Sequence, residues 1–183
     1  MRSERNRVSS EFMLETERLS LRQLSLEDAS FILTLLNEPS FLRYIGDKQV
    51  RNIEGAEQYL LNGPIASYQQ NGFGLYLVAL KDGGTSIGMC GLIKRAELPD
   101  VDIGFAYLPD FWNQGYAFEA ATAVMKYGHE TLKLDRIVAI TSPDNDASIK
   151  LLQRIGFTFE SVISLGNDRE QVKLFGKNFG STR

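Results

Sequence analysis

The spacing of hydrophobic residues predicts alternating strands and helices along the first part of the chain. Apolar and polar residues alternate from Leu19 to Gln23, which is the two-residue period of a strand. After Ser25, a helix-capping residue type, an apolar stripe continues at helical spacing, and Pro39 is predicted to end that helix. A second helical stretch covers about residues 54–70, and Gly63-Pro64 is expected to break or kink it.

The middle of the chain changes to the strand period. Strands are predicted at 74–81, 87–94 and 100–108, and the turn Asp82-Gly83-Gly84 joins the first two. Because their connections are short, these three strands are expected to form an antiparallel meander.

A long amphipathic helix opens the C-terminal part of the chain. Its apolar face repeats at i, i+3 and i+4 from Ala117 to Gly128, and its small residues allow close approach to a sheet. The remaining predictions are strands at 136–141, 157–164 and 171–177, a helix at 147–155, and a turn at Gly166-Asn167-Asp168. A strand, a helix and a strand in succession imply one parallel crossover, from 100–108 to 136–141, where an open sheet tends to bind ligands.

Composition narrows the class of protein. The chain has 183 residues, of which 43% are hydrophobic and 23% charged, as in one ordinary globular domain. Its net charge of −3 gives no general reason to expect nucleic acid or a membrane as partner. The single cysteine, Cys90, excludes an internal disulfide and predicts a reducing, cytoplasmic location. Residues 1–12 are predicted to be a flexible tail that precedes one domain at 13–179.

The turn before the long helix suits a phosphate group. Gly115 has no side chain, and the free N–H groups at a helix start attract anions. A simple strand-to-helix turn would share these features, so this fragment alone leaves both interpretations open. Neither G-x-x-x-x-G-K-[S/T] nor a helix-opening G-x-G-x-x-G occurs, which removes support for kinases and for other mononucleotide-binding proteins.

Three segments of the chain occur together in a recognisable order. They are Leu14-Glu15-Thr16-Glu17-Arg18-Leu19-Ser20-Leu21-Arg22, then Trp112-Asn113-Gln114-Gly115-Tyr116-Ala117-Phe118-Glu119-Ala120, then Asn145-Asp146-Ala147-Ser148 followed by Ile155-Gly156-Phe157. These segments resemble the GNAT superfamily of N-acetyltransferases, and more narrowly its RimJ/RimL-like branch. The middle segment is similar to the loop that binds the pyrophosphate of acyl-CoA in that branch.

The resemblance implies an α/β (α+β) fold with a mixed, mostly antiparallel, splayed sheet flanked by helices. It also implies acetyl-CoA as co-substrate between the strands at 100–108 and 136–141, with no metal. The pyrophosphate would bind backbone N–H groups of Asn113, Gln114, Gly115, Tyr116 and Ala117. The pantetheine arm would pair with the backbone of Ala106, Tyr107 and Leu108, and the side-chain amide of Asn145 would reach that arm.

Family members usually transfer the acetyl group directly to an amine. This reaction requires a base for the amine, a group that stabilises the oxyanion and a proton donor for the departing thiolate. Asp102 and Glu97 are candidate bases, although either could be a solvated carboxylate at a strand end, an interpretation that fits Glu97 better than Asp102. The backbone N–H of Tyr107 is the candidate for stabilising the oxyanion. Ser148 is the candidate proton donor to the thiolate, because its place after Asn145 resembles the motif serine of the branch. Residues 156–159 lack the tyrosine found in many other GNAT enzymes, which supports Ser148 or a mechanism without a side-chain acid. Helix capping is an equally open role for Ser148.

The remaining chemistry-bearing residues are expected to be structural. His129 is expected near a helix end and Cys90 in the core, and one histidine with one cysteine argues against a zinc site. An apolar wall for the acceptor, or simply core, could come from Phe41, Tyr44, Ile45, Phe73 and Phe111.

The predicted function is N-acetylation of a small-molecule amine or a protein N-terminus. A non-catalytic acetyl-CoA-binding module is the alternative, and an interaction protein without acyl-CoA is the third possibility. A monomer and a homodimer both remain open.

Overall fold

The computed structural model describes residues 12–180. Its strands are β1 (Phe12–Glu15), β2 (Leu19–Gln23), β3 (Leu75–Leu80), β4 (Ser86–Ile93), β5 (Asp102–Tyr107), β6 (Arg136–Thr141), β7 (Thr158–Leu165) and β8 (Glu170–Asn178). Its α-helices are α1 (Ala29–Leu36), α2 (Pro39–Tyr44), α3 (Ile53–Leu60), α4 (Ala66–Asn71), α5 (Tyr116–Glu130) and α6 (Asp146–Arg154).

The strands of residues 12–180 form one eight-stranded sheet in the order β1-β2-β3-β4-β5-β6-β8-β7. All neighbouring strands are antiparallel except β5 and β6, which are parallel. The predicted meander and the predicted crossover are therefore both present. The strand β1 was not predicted, and the predicted tail lies outside the described residues except for Phe12, where β1 begins.

Two proline positions behave differently from the sequence-based expectation. α1 ends at Leu36, but Pro39 then starts a further helix, α2, since the first helical position does not need an N–H donor. Gly63-Pro64 does not break the second helical stretch. Residues 61–65 instead form one wider, π-helical turn that contains Pro64 and joins α3 to α4.

The sheet has a hydrophobic core on each face. Successive residues of a strand point to opposite faces, and accordingly Val78 belongs to the core under α5 while its neighbour Leu77 belongs to the core under α1 and α3. The small residues Ala120 and Ala121 of α5 are fully buried, as the helix pattern predicted. Both faces of the central strands are thereby buried, whereas β7 at one edge of the sheet stays largely exposed.

The sheet is divided between β5 and β6. These strands pair only where Asp102 lies opposite Val138, and the Val138 N–H donates to the Val101 carbonyl at 2.9 Å. Past this point the two strands no longer pair, so the predicted splay is present. Within residues 12–180, no helix combines the length and hydropathy needed to cross a membrane.

Candidate active site

The turn between β5 and α5 leaves backbone N–H groups without partners inside the helix. Asn113 (φ 60°) and Gly115 (φ 82°) adopt left-handed backbone conformations, which curl the chain into the helix start. The first intrahelical hydrogen bond runs from the Glu119 N–H to the Gly115 carbonyl at 3.0 Å. Within the described chain, no side chain caps this helix start. Because the helix dipole is also positive here, the turn suits a phosphate or pyrophosphate.

Gly115 is required at this turn for two reasons. Its φ of 82° is strained for other residues, and a Cβ there would lie 3.2 Å from Nη2 of Arg18. A larger side chain would therefore distort the turn or displace the arginine.

The turn is held to the N-terminal strands by a cluster that we call the Glu119 clamp, formed by Thr16, Arg18 and Glu119. The Glu119 carboxylate accepts hydrogen bonds from Thr16 Oγ1 at 2.5 Å, from the Arg18 backbone N–H at 2.8 Å and from Arg18 Nε at 2.7 Å. Arg18 Nη1 also donates to the Gln114 carbonyl at 2.9 Å. Burial raises the pKa of Glu119, but these hydrogen bonds outweigh it, so the net pKa lies below its ordinary value.

The Glu119 clamp was not predicted. A signal for it was nevertheless present, because its residues belong to two of the three segments that resemble the GNAT superfamily. The contact explains physically why these distant segments occur together.

The backbone direction along β5 shows which of its groups face the split. The Leu108 N–H donates to the Ile87 carbonyl of β4 at 2.9 Å, whereas the Val101 carbonyl accepts from Val138 of β6. Successive residues of a strand turn their N–H and carbonyl groups to alternate sides. The N–H of Tyr107 therefore points toward β6 and into the split.

The three residues predicted to pair with the pantetheine arm are thus not equivalent. The Tyr107 N–H faces the split, and the same alternation turns the Phe105 backbone there as well. The backbone N–H groups of Ala106 and Leu108 face β4 instead. The Tyr107 carbonyl is occupied by the indole N–H of Trp112 at 2.9 Å. A donor pairing with this edge would consequently meet Phe105 and Tyr107 first.

A cavity of about 690 Å³ opens at the split and extends between the helices and the β7–β8 turn. Its walls include the predicted site residues Asp102, Asn145 and Ser148. The π-helical turn at 61–65 supplies part of the wall, a contribution that the sequence did not reveal. The cavity is large enough for a small acceptor or for the first residues of a peptide.

Asp102 is fully buried on the wall of this cavity. Both of its carboxylate oxygens lie 3.1 Å from Nε of Arg95, a partner that the sequence did not reveal. Burial raises the pKa of Asp102 to about 6, while the charge and hydrogen bond of Arg95 oppose the rise. A carboxylate of this kind is ionised at neutral pH and still basic enough to take a proton. Glu97, the second candidate base, is exposed on the same wall.

Asn145 and Ser148 are linked at the start of α6. Asn145 is the N-cap of this helix, and its Oδ1 accepts the Ser148 backbone N–H at 3.2 Å. The capping group is therefore Asn145, which leaves the Ser148 hydroxyl without a hydrogen bond within residues 12–180. The amide nitrogen of Asn145 also remains available to a ligand in the cavity.

Residues expected to be structural lie away from the cavity. The His129 ring stacks on Phe179 at 4.3 Å, and Cys90 is fully buried, where burial raises its pKa to about 12.

Phe41, Tyr44 and Ile45 line the cavity as the acceptor prediction requires, whereas Phe73 and Phe111 pack in the core under α5. Within residues 12–180, no three His, Cys, Asp or Glu residues lie together as metal ligands.

The sequence profile described as "Acetyltransferase (GNAT) domain" matches residues 18–158. The chain belongs to the GNAT acetyltransferase family. A relative of this GNAT protein is the uncharacterized N-acetyltransferase YoaA of Bacillus subtilis (strain 168), with 33% identity over 152 residues, covering 82% of this chain and 85% of YoaA. The predicted family, fold class and enzyme class are thereby confirmed, and GNAT enzymes use acetyl-CoA as donor.

Solved structures share the fold over nearly the whole chain. An acetyltransferase from Agrobacterium tumefaciens str. C58 has a TM-score of 0.78 and 26% identity, covering 91% of this chain and 94% of that chain. The ribosomal L7/L12 alpha-N-protein acetyltransferase RimL, in complex with coenzyme A, has a TM-score of 0.79 and 19% identity, covering 92% of this chain and 98% of the RimL chain. Neighbours of this kind are what the resemblance to the RimJ/RimL-like branch predicts.

Proposed function

We propose that this GNAT protein moves the acetyl group of acetyl-CoA to a primary amine, on a small molecule or a protein N-terminus, by direct attack within a ternary complex. The observation that carries the proposal is the position of Asp102. This buried carboxylate lies where β5 and β6 separate, and the uncapped start of α5 follows the far end of β5. A donor along the split and an acceptor in the cavity would therefore meet near one base.

The donor is held chiefly by backbone groups in this proposal. The N–H groups of residues 113–117 bind the pyrophosphate, and the split edge of β5 at Tyr107 pairs with the pantetheine arm. The side-chain amide of Asn145 reaches the same arm from the start of α6. The Tyr107 N–H points into the split and is the proposed donor to an oxyanion, in which case the Phe105 backbone, which faces the same way, pairs with the pantetheine arm.

The acceptor must lose a proton before it attacks. At pH 7 an α-amine with a pKa of about 7.7–8.0 is neutral roughly one time in ten, and a lysine amine only about once in several thousand molecules. Asp102, with a pKa of about 6, is ionised in roughly nine-tenths of molecules at that pH. It accepts the proton directly or through one water molecule.

The departing thiolate needs only modest assistance, since thiols have a reference pKa near 8.5. The Ser148 hydroxyl is the proposed proton donor, because it lines the cavity and is free of the helix cap.

Related proteins carry names with different acceptors: RimL is named for a ribosomal protein, and an Aspergillus fumigatus relative is an FsC-acetyl coenzyme A-N(2)-transacetylase. The acceptor of this chain has to be found from its own cavity.

Two measurements test the proposal. Acetyl-CoA should raise the melting temperature, and thiol release from acetyl-CoA should accelerate with at least one member of a panel of small amines and N-terminal peptides. Mass spectrometry of the product should show one added acetyl group on nitrogen. Stabilisation by acetyl-CoA without acetylation of any amine would favour the non-catalytic binding module instead, and no stabilisation would count against both.

A further inference from the structure

The cavity wall carries charges of both signs in equal number. Within the described chain, three cationic side chains (Lys48, Lys94 and Arg95) and three acidic ones (Glu97, Asp102 and Glu170) line it. A purely cationic acceptor such as a polyamine would be favoured by a net negative wall, because its charge must be compensated there. The observed balance instead suits an acceptor that itself carries both a cationic and an anionic group.

Arg95 has donors to spare on this wall. Its Nε is used by Asp102, but its Nη1 and Nη2 make no hydrogen bond within residues 12–180. The side chain is 35% exposed, so a ligand in the cavity can reach these atoms. A guanidinium presents its N–H groups in a planar fork that matches a carboxylate or phosphate.

Lys48 adds a second positive charge to the same part of the cavity. It lies between α2 and α3 and forms no ion pair within residues 12–180. Burial and the charge of Arg95 lower its pKa, and Glu170 partly opposes this. The two cations therefore repel each other, and the nearby carboxylates of Asp102 and Glu170 offset this repulsion only in part.

Resting on the proposed function, we infer that Lys48 and the terminal nitrogens of Arg95 form an anion subsite for an acceptor amine bearing a carboxylate. In the acceptor, the amine would bind Asp102 and the carboxylate would bind Arg95. The distance between these two groups is therefore set by the contact of Arg95 with Asp102, in which Nε lies 3.1 Å from both carboxylate oxygens. With a hydrogen bond of about 3 Å at each end, the two groups of the acceptor are separated by roughly 5–8 Å. An unbranched amino acid with several methylene groups between its amine and its carboxylate has such a spacing, and so does a short peptide with an acidic side chain after its first residue.

The same arrangement favours the reaction. When Asp102 takes the proton of the amine, the wall loses one negative charge and becomes net positive. A carboxylate held by Lys48 and Arg95 offsets this change, which keeps the protonated state of Asp102 accessible.

The test uses acceptors matched in length. Unbranched amino acids, in which a methylene chain of varied length separates the amine from the carboxylate, are compared with the corresponding amides and diamines. A peptide with Asp after its first residue is compared with the Asn peptide. For the wild-type protein, we expect kcat/KM to be at least about tenfold higher for the acid than for the amide at the best length. In Lys48→Met most of this preference should be lost, because Arg95 alone then holds the carboxylate, and in Lys48→Glu the diamine should become the best acceptor.

Lys150→Met is the matched control, because Lys150 is an exposed lysine on α6 that does not line the cavity. It should keep the preference for the acid. Equal rates for acids and amides at every length, or a preference that is undiminished in Lys48→Met, would overturn the anion subsite and leave the proposed function intact. If no amine in the panel is acetylated, the proposed function fails and the inference fails with it.

Discussion

Replacing Asp102 with Asn tests the base and the burial of its charge in one variant. The pKa of Asp102 is about 6 in the folded protein against an ordinary value of 3.8, a difference that corresponds to about 3 kcal/mol. An acid whose pKa rises on folding binds its proton more tightly when folded. Its stabilising contribution is therefore present below about pH 4 and is lost as the pH rises through 6.

Asp102→Asn should consequently be more stable than the wild type above pH 6, by up to about 3 kcal/mol, and equally stable near pH 4. The favourable charge and hydrogen bond of Arg95 are already included in the pKa of about 6, so the figure is the net cost of burying the ionised carboxylate. The same variant should lose about 100-fold or more in kcat/KM at pH 7, the usual contribution of a general base. The acidic limb of the pH profile, near pH 6 in the wild type, should disappear.

The assay combines urea unfolding at pH 4, 6 and 8 with kcat/KM measured from pH 5 to 9. Asp100→Asn is the matched control, because Asp100 pairs with Arg136 at 3.0 Å and does not line the cavity. This control should keep both the rate and the acidic limb. The reasoning is refuted if Asp102→Asn retains that limb, or if it is less stable than the wild type at pH 8 but equally stable at pH 4.

Four further substitutions or treatments probe other parts of the site. Gly115→Val should weaken acetyl-CoA binding measured by calorimetry, since a β-branched residue at φ 82° costs of order 1–3 kcal/mol. Glu119→Gln should raise the KM for acetyl-CoA more than it lowers kcat in steady-state assays, because the turn proposed to bind the pyrophosphate loses the ion pair between Glu119 and Arg18. Ser148→Ala should lower kcat severalfold without changing the Kd of acetyl-CoA. Cys90 should resist iodoacetamide in the folded protein and react after denaturation, as monitored by mass spectrometry.

The sequence predicted the elements whose pattern is set by burial. β6 was predicted with its observed bounds because its residues form one apolar run, and α5 because its small residues repeat at helical spacing. It did not predict β1, which is only four residues long, nor the wider turn at 61–65. That turn depends on how neighbouring helices tolerate Pro64, which no local pattern reveals.

In the site, too, features formed by neighbouring residues could be predicted from the sequence, whereas contacts between distant residues could not. The turn between β5 and α5 is local, and the sequence indicated its position; the cap of α6 is local too, but the sequence left capping open for Ser148, whereas the structure shows Asn145 in that role. The pairing of Asp102 with Arg95 depends on the direction of a side chain in the loop after β4, and the Glu119 clamp joins residues more than 100 positions apart. Contacts of that kind become visible only when the fold brings the segments together.

Because β5 and β6 pair at a single position, a donor bound between them is expected to raise the free energy of unfolding. Within residues 12–180, the two sheet segments β1–β5 and β6–β8–β7 pair with each other only where Asp102 lies opposite Val138. A donor bound as proposed would contact both segments, and by mass action it would stabilise the folded protein by about 2.7 kcal/mol at 100 times its Kd. The lifetime of this acetyltransferase would then rise and fall with the concentration of acetyl-CoA around it, which links its abundance to the supply of its own substrate.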